Sequence, residues 1–305
     1  MKKVTVVGSI NLDYTIRTPR MPQGGETIHT HEVFSAGGGK GANQAVAAAR
    51  LGADTSFVGA TGADEAGHMM RELMEEDHID LTSVMTLEDT VTGQAFVIVD
   101  DNGENRILVH GGANMALQPE MMQRAKETFT QSDIVIGQFE IAMDALMEAF
   151  RIAKEAGVMT LLNPAPAIPE VPSELLQLTD IIVPNETETE ILTGITVKTE
   201  QDMEKAAQCF HNQGICVVLI TLGATGTYYS MDGQSGIIPA FKVDAKDTTA
   251  AGDTFIGSFA SHLNASLDNI EDAIRFGNKA SSIAVQRFGA QPSIPYLEEV
   301  TKEDD

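Results

Sequence analysis

Two carboxylates bracket a run of small residues at Asp247-Thr248-Thr249-Ala250-Ala251-Gly252-Asp253. Small side chains let consecutive backbone N–H groups converge. A helix opening at about Gly252 then reads Asp-Thr-Phe-Ile-Gly-Ser-Phe-Ala. The N-terminus of a helix, with its unpaired amides, is an anion site. Phosphoryl transfer needs such a site for the charge on the migrating group. It also uses a carboxylate to take the proton from the attacking hydroxyl, and Asp253 is the candidate. The plainer reading makes Asp253 an N-cap. The second acidic residue and the small-residue nest between the two favour the chemical reading.

Other groups have the same double character. Gly37-Gly38-Gly39-Lys40-Gly41-Ala42-Asn43 offers flexible backbone, a cation and an amide at a helix start. It is not a P-loop, because Gly41 stands where Ser or Thr must follow the lysine and Phe34 where a glycine must be. Asn11 and Asp13 lie two apart after the first strand, a bidentate set for vicinal hydroxyls or an Asx-turn. Glu140 follows a strand ending at Ile136. Asn185 and Glu188 lie three apart at a helix start, as a capping box or as phosphate and Mg²⁺-water ligands. Gly223 and Gly226, after Thr221, suit close approach of a nucleotide or a tight turn. No G-x-G-x-x-G follows the first strand, which disfavours a dinucleotide site.

These residues need a scaffold that gathers them. Buried strands are expected at Lys3–Gly8, Thr55–Ala60, Asp133–Ile136, Val158–Leu162, Ile181–Val183 and Cys216–Thr221. Helices are expected at Ala42–Leu51, with Gly52 at C′, and at Asp64–Glu76, Met143–Ala156, Thr187–Leu192 and Glu200–Gln213. Alternating strands and helices imply an α/β fold with a mostly parallel sheet covered on both faces. Sites in such sheets lie at the carboxyl ends of the strands. Asn11, Glu140, Asn185, Thr221 and Asp253 all follow strands or open helices, so they would converge there. Asn102-Gly103 between two strand-like runs predicts a hairpin. With Asn11–Ala36 it breaks the alternation and implies a small β appendage, or else an extra edge of the main sheet. Glu298–Asp305 reads as a charged, frayed tail.

Composition narrows the function. The 305 residues suit one α/β domain with an appendage. Twenty basic against 44 acidic residues, a formal charge of −24, argue against nonspecific nucleic-acid binding. A phosphate site must then rely on local amides, Lys40 and metal. No apolar run approaches a membrane span, and Met1-Lys2-Lys3 precedes too short an apolar stretch for a secretory signal. Cys209 and Cys216 read as structural thiols of a reducing cytoplasm.

Two stretches, Gly38-Gly39-Lys40-Gly41-Ala42-Asn43-Gln44-Ala45 and Asp247–Phe255, resemble the hallmark motifs of the ribokinase, or PfkB-type carbohydrate kinase, family. The likeness runs from Val4 to Pro295. Asn11-Leu12-Asp13 and Arg287–Ser293 favour the branch that acts on ribose. The resemblance implies a single domain over 1–305, a three-layer α/β/α sandwich with a mostly parallel central sheet and a small β-sheet lid from about 11–36 and 92–114. It implies ATP-dependent phosphorylation of D-ribose at the 5-hydroxyl, with Asp253 as base and the amides of Ala250, Ala251 and Gly252 as anion hole. Asn11, Asp13, Gly39, Lys40, Asn43 and Glu140 would bind ribose. Asn185, Thr221, Gly223, Gly226, Gly252 and Asn278 would bind ATP, with Glu188 near the Mg²⁺ shell. Oxygens of Asp247, Thr249, Ala284, Arg287, Gly289 and Ser293 would hold an activating K⁺. A cytoplasmic homodimer joined through the lid is implied too. A sibling kinase acting on deoxyribose, fructose, a nucleoside or a sugar phosphate is the alternative. A nucleoside kinase would want stacking aromatics, and the chain has no Trp and 4 Tyr. A phosphosugar kinase would want cations such as Arg17 and Arg20 free near the lid.

Overall fold

The computed structural model describes residues 1–302. The strands, in chain order, begin with β1 (Lys3–Val7), β2 (Asn11–Thr18), β3 (Glu32–Gly38), β4 (Asp54–Gly62) and β5 (Asp80–Leu87). There follow β6 (Gly93–Asp100), β7 (Asn105–His110), β8 (Ile134–Gly137) and β9 (Met159–Leu162). The last are β10 (Ile181–Ile182), β11 (Val217–Thr221), β12 (Gly226–Met231) and β13 (Gln234–Pro239). Nine of them form one sheet in the order β13-β12-β11-β10-β9-β8-β1-β4-β5. Its pairings from β5 to β11 are parallel, and β12 and β13 add an antiparallel edge.

Adjacent residues of β1 show why these strands are apolar throughout. Val4 and Val6 pack into one helical layer, and Val7 into the other. A strand covered on both faces has no polar side to show. Helices Lys40–Arg50, Ala251–His262 and Ile270–Ala284 contribute to the first layer, Met143–Glu155 and Glu200–His211 to the second.

The small-residue helix is the element that builds the site. It spans Lys40–Arg50, two residues earlier than expected, and Gly52 (φ 94°) turns the chain after it. Ala42 and Ala45 through Ala48 are completely buried. Against them lies Gly257 of helix Ala251–His262. A Cβ there would stand 2.4 Å from the Gln44 carbonyl oxygen and 2.6 Å from the Ala47 Cβ. Only a helix pair stripped of bulk comes this close, and the approach carries Asp253 over Asn43 and Gln44.

The broken alternation forms a separate four-stranded sheet, β3-β2-β6-β7, and not an extra edge of the main one. The hairpin β6–β7 turns at Asn102-Gly103. Strands β5, β12 and β13 and helix Ile270–Ala284 were not anticipated. The β12–β13 turn did carry a signal in Asp232-Gly233, whose φ values of 51° and 76° meet the demand of a tight hairpin. The tail also differs from expectation. Leu297–Thr301 is a helix, and Glu299 pairs with Arg287; residues 303–305 lie outside the described ones.

Candidate active site

The loop after β1 makes the first wall. Ser9 Oγ donates to Glu140 Oε2 (2.5 Å), which also accepts from the Lys40 amide (3.0 Å). Gly39 reaches this corner at φ 88°, where a Cβ would sit 2.8 Å from the Asn11 nitrogen. Asn11 Oδ1 accepts from Asn114 Nδ2 (2.8 Å), while Asn114 Oδ1 accepts from the Ile10 amide (2.9 Å). One face of Asn11 is thereby fixed.

Asp253 sits in the first turn of its helix and is 7% exposed. Its Oδ2 accepts from Asn43 Nδ2 (3.1 Å) and its Oδ1 from Gln44 Nε2 (2.9 Å). The residue before the helix, Ala250, adopts φ 58° and ψ 11°, a left-handed conformation uncommon for alanine. Ala251 donates its amide to the Thr248 carbonyl (3.2 Å) and Thr254 donates to Ala250 (2.8 Å). Within the described residues the amides of Gly252 and Asp253 find no acceptor, as the first turn of a helix requires. They face an open cleft of about 180 Å³, whose wall includes Lys40, Asn163, Asn185, Glu188, Thr221 and Asp253.

The charges in this cleft act on each other. Burial pushes the Asp13 carboxyl up to about 7, and the negative charges of Glu140 and Asp253 add to it. Asp13 Oδ1 is buried without a partner, as is Asn43 Oδ1. Asp253 raises the Lys40 ammonium; burial opposes this, and Glu140 and Glu188 reinforce it. Burial raises Glu188 above the usual carboxylate range, against the pull of the Asn185 amide and Lys40. Buried polar atoms without partners are uncommon, and a pair of acceptors beside a partly protonated carboxyl suits a polyhydroxylated ligand.

Asn185 and Glu188 form a full capping box, each side chain bonded to the other's amide at 2.8 Å. They also line the cleft, so both readings of the pair describe the same geometry. Other residues stand apart from that wall. Asn278 accepts from Thr227 Oγ1 (2.9 Å) and donates to the Ile238 carbonyl (3.0 Å), tying the β12–β13 hairpin to its helix. Gly226 (φ 123°) is packed against the same hairpin, whereas Gly223 (φ 53°) faces open space. Arg17 lies 3.9 Å from Glu32 and Arg20 pairs with Glu26, so neither is a free cation for a sugar phosphate.

Behind the helix start, Asp247 gathers two segments. Its Oδ1 accepts from the Thr249 amide (2.9 Å) and hydroxyl (2.6 Å), and its Oδ2 from the Gly289 amide (2.9 Å). Burial pushes this carboxyl up, and the three hydrogen bonds outweigh it and hold it low. Ala284 accepts from the Arg287 amide (3.0 Å), and Ser293 Oγ donates to the Ala290 carbonyl (2.7 Å). The structure thus brings Asp247, Thr249 and Gly289 together and turns Ser293 into its own loop.

A larger cavity, about 270 Å³, lies at the opposite ends of the strands beside Cys216. Its close charge pair, Lys154 with Asp180 at 2.5 Å, is already matched, whereas the cleft at Asp253 gathers the candidate site residues.

The pfkB family carbohydrate kinase model matches residues 1–297. The chain belongs to the pfkB family of carbohydrate kinases. It is 52% identical over 301 residues to a ribokinase of Staphylococcus aureus (strain COL), covering 98% of this chain and 99% of that one. A ribokinase of Haemophilus influenzae is 46% identical over 298 residues, covering 98% and 97%. The solved structure of Arabidopsis thaliana ribokinase complexed with ribose and ATP superposes with a TM-score of 0.93 at 34% identity, covering 98% and 97%.

Sequence reasoning missed part of this pfkB kinase's cleft. Gln44, completely buried, donates to Asp253, and Gln138, completely buried, and Asn163, 7% exposed, hold Gln44 from behind. Ser9 and Asn114 hold the Lys40 corner and Asn11. Gln138 and Asn163 follow β8 and β9 directly, which was a signal that strand ends could have given.

Proposed function

We propose that this kinase transfers the γ-phosphoryl group of ATP to the 5-hydroxyl of D-ribose, giving D-ribose 5-phosphate and ADP. The observation that carries this reading is Asp253, a carboxylate held by two amide donors beside unpaired helix amides. Asp253 removes the hydroxyl proton as that oxygen attacks the γ-phosphorus. The amides of Ala250 and Gly252, with that of Asp253, receive charge on the phosphoryl oxygens, while that of Ala251 is held by the Thr248 carbonyl, and Lys40 offsets more of the charge. Asn11, Asp13, Gly39, Asn43 and Glu140 hold the sugar; the unpaired oxygens of Asp13 and Asn43 suit its hydroxyls. Asn185 and Thr221 serve the nucleotide, with Gly223, Gly226 and Asn278 shaping the loops around it.

The donor set fits Mg²⁺. This hard cation takes one or two carboxylates and fills its remaining positions with phosphate and water, and Glu188 offers a half-buried carboxylate on the cleft wall it shares with Asp253. Held there, Mg²⁺ would offset the negative charge of the phosphates. The family likeness assigns K⁺ to oxygens of Asp247, Thr249, Ala284, Arg287, Gly289 and Ser293, of which Asp247, Thr249 and Gly289 stand together. A monovalent cation there would order the loop that carries the anion hole. Removal of K⁺ is expected to depress turnover and its return to restore it; equal rates with and without K⁺ would count against that site.

The sheet β3-β2-β6-β7 is the lid, part of one domain with the main sheet. It also supplies the joint of a homodimer. Leu108 is 63% and Val109 59% exposed on the free edge strand β7, and Phe34 and Val33 are exposed on β3. An uncovered apolar edge of this kind needs a partner. No helix of the described residues is long and apolar enough to cross a membrane, and the free Cys209 and Cys216 suit a cytoplasmic protein.

The test is ADP release from ATP·Mg²⁺ with K⁺ across ribose, deoxyribose, fructose, fructose 6-phosphate and adenosine. Preference for ribose supports the proposal. Preference for another acceptor keeps Asp253 and discards ribose.

A further inference from the structure

Three consecutive strand ends deliver amide chemistry to one point. Gln138 follows β8, Asn163 follows β9 and Val183 follows β10. Between them and Asp253 stands Gln44, completely buried in the small-residue helix. The hydrogen bonds among these groups have a forced sense. The Val183 carbonyl only accepts, so Asn163 turns its Nδ2 toward it (3.1 Å). Asn163 therefore presents Oδ1 to Gln44, and Gln44 answers with Nε2 (3.1 Å). The second hydrogen of that Nε2 then points at Asp253 Oδ1 (2.9 Å). Gln44 Oε1 is left facing Gln138, which donates its own Nε2 (2.7 Å).

We propose that Gln44 and Gln138 are positioning residues of the phosphoryl transfer, which aim the Asp253 carboxylate by fixing the sense of this amide relay. The inference rests on Asp253 acting as the base. Reversal of the Gln44 amide would set its Oε1 against the carboxylate and against Asn163 Oδ1, two repulsive contacts between acceptors. Gln138 backs the unreversed sense by donating into the Gln44 Oε1. It does so at a cost to itself, since Gln138 Oε1 is buried and without a partner. The site around it is closed: a Cβ on Gly8 would stand 2.2 Å from that oxygen. A relay that leaves its last member unsatisfied is organised around its first, the carboxylate. With Oδ1 taken by Gln44 and Oδ2 by Asn43, Asp253 has one orientation, and its remaining lone pairs meet the cleft.

The experiment measures kcat and both KM values for Gln44→Met, Gln138→Met, the double variant and Asp253→Asn. Methionine keeps the length of glutamine without the donor. Gln44→Met is expected to lower kcat about ten- to a hundredfold, as a misaimed reacting group does, with KM for ribose and ATP unchanged. Gln138→Met lowers kcat less, because it acts through Gln44. The double variant matches Gln44→Met alone, since one relay is lost once. Parental kcat in Gln44→Met, losses that add in the double variant, or an effect confined to KM would overturn the relay. If Gln44→Met does not fold, Gln138→Met decides: a fall in kcat at constant KM supports the relay, and parental kcat overturns it. Asp253→Asn separates the two failures. If it turns over normally, Asp253 is not the base; if it is inactive while both glutamine variants are normal, only the relay falls.

Discussion

Two acidic residues of the cleft differ in how much of their setting could be read in advance. Asp253 was legible as a candidate, because a second acidic residue and a small-residue run before the helix set it apart from an ordinary N-cap. Gln44 was not, because a glutamine in a helix ordinarily faces solvent and only the packing of two helices makes it a buried donor. Asp13 stood out beside Asn11 after the first strand, but the upward push on its carboxyl comes first from burial and then from Glu140 and Asp253, which lie on distant segments. Its carboxyl stands at about 7 in the fold against 3.8 ordinarily, so the folded protein holds a proton that the unfolded chain releases. Between those values stability falls as pH rises, and above about 7 the loss is complete. Asp13→Asn removes this penalty. The unliganded variant is expected to melt about 2–4 °C above the parent at pH 8, with a smaller gain at pH 5, while binding ribose more weakly. A gain of the same size at both pH values would contradict the assignment.

At the scale of elements, most strands and helices followed from apolar runs and caps. Ends shifted by one or two residues, in one case where a capping box decided them, at Asn185. The antiparallel pair β12–β13 escaped because the sheet beside it reads as parallel, and Asp232-Gly233 was the cue that it turns back. The start of helix Ala251–His262 is where element and chemistry meet. Its left-handed Ala250 aims the unpaired amides and is strained for a residue with a Cβ. Ala250→Val places a β-branched side chain at φ 58°. It is expected to cost about 1–3 kcal/mol of stability and to lower kcat, whereas Ala250→Gly keeps both. Thermal melts and turnover of the two variants check this; a valine variant as stable and active as the parent would refute it.

The whole molecule joins a covered, mostly parallel sheet to a smaller mixed one. The parallel layers were legible, because strands with no polar face must be covered on both sides. A homodimer was not, because apolar residues exposed on β3 and β7 do not name what covers them, and only the family likeness suggests a second copy. Leu108→Lys puts a charge on a position that is 63% exposed. It is expected to shift the protein from dimer to monomer in sedimentation analysis while leaving thermal stability within about 0.5 kcal/mol of the parent's. A parent that sediments as a monomer, or a variant that stays dimeric, would remove the lid from the interface.

The most direct test of the account compares the parent and Asp253→Asn in one assay of ribose-dependent ADP release, with ribose binding followed by calorimetry. The account predicts turnover by the parent and a fall of about 10²–10⁴-fold in kcat for the variant, with ribose still bound. Near-parental turnover by Asp253→Asn, or a parent silent with ribose, would contradict it.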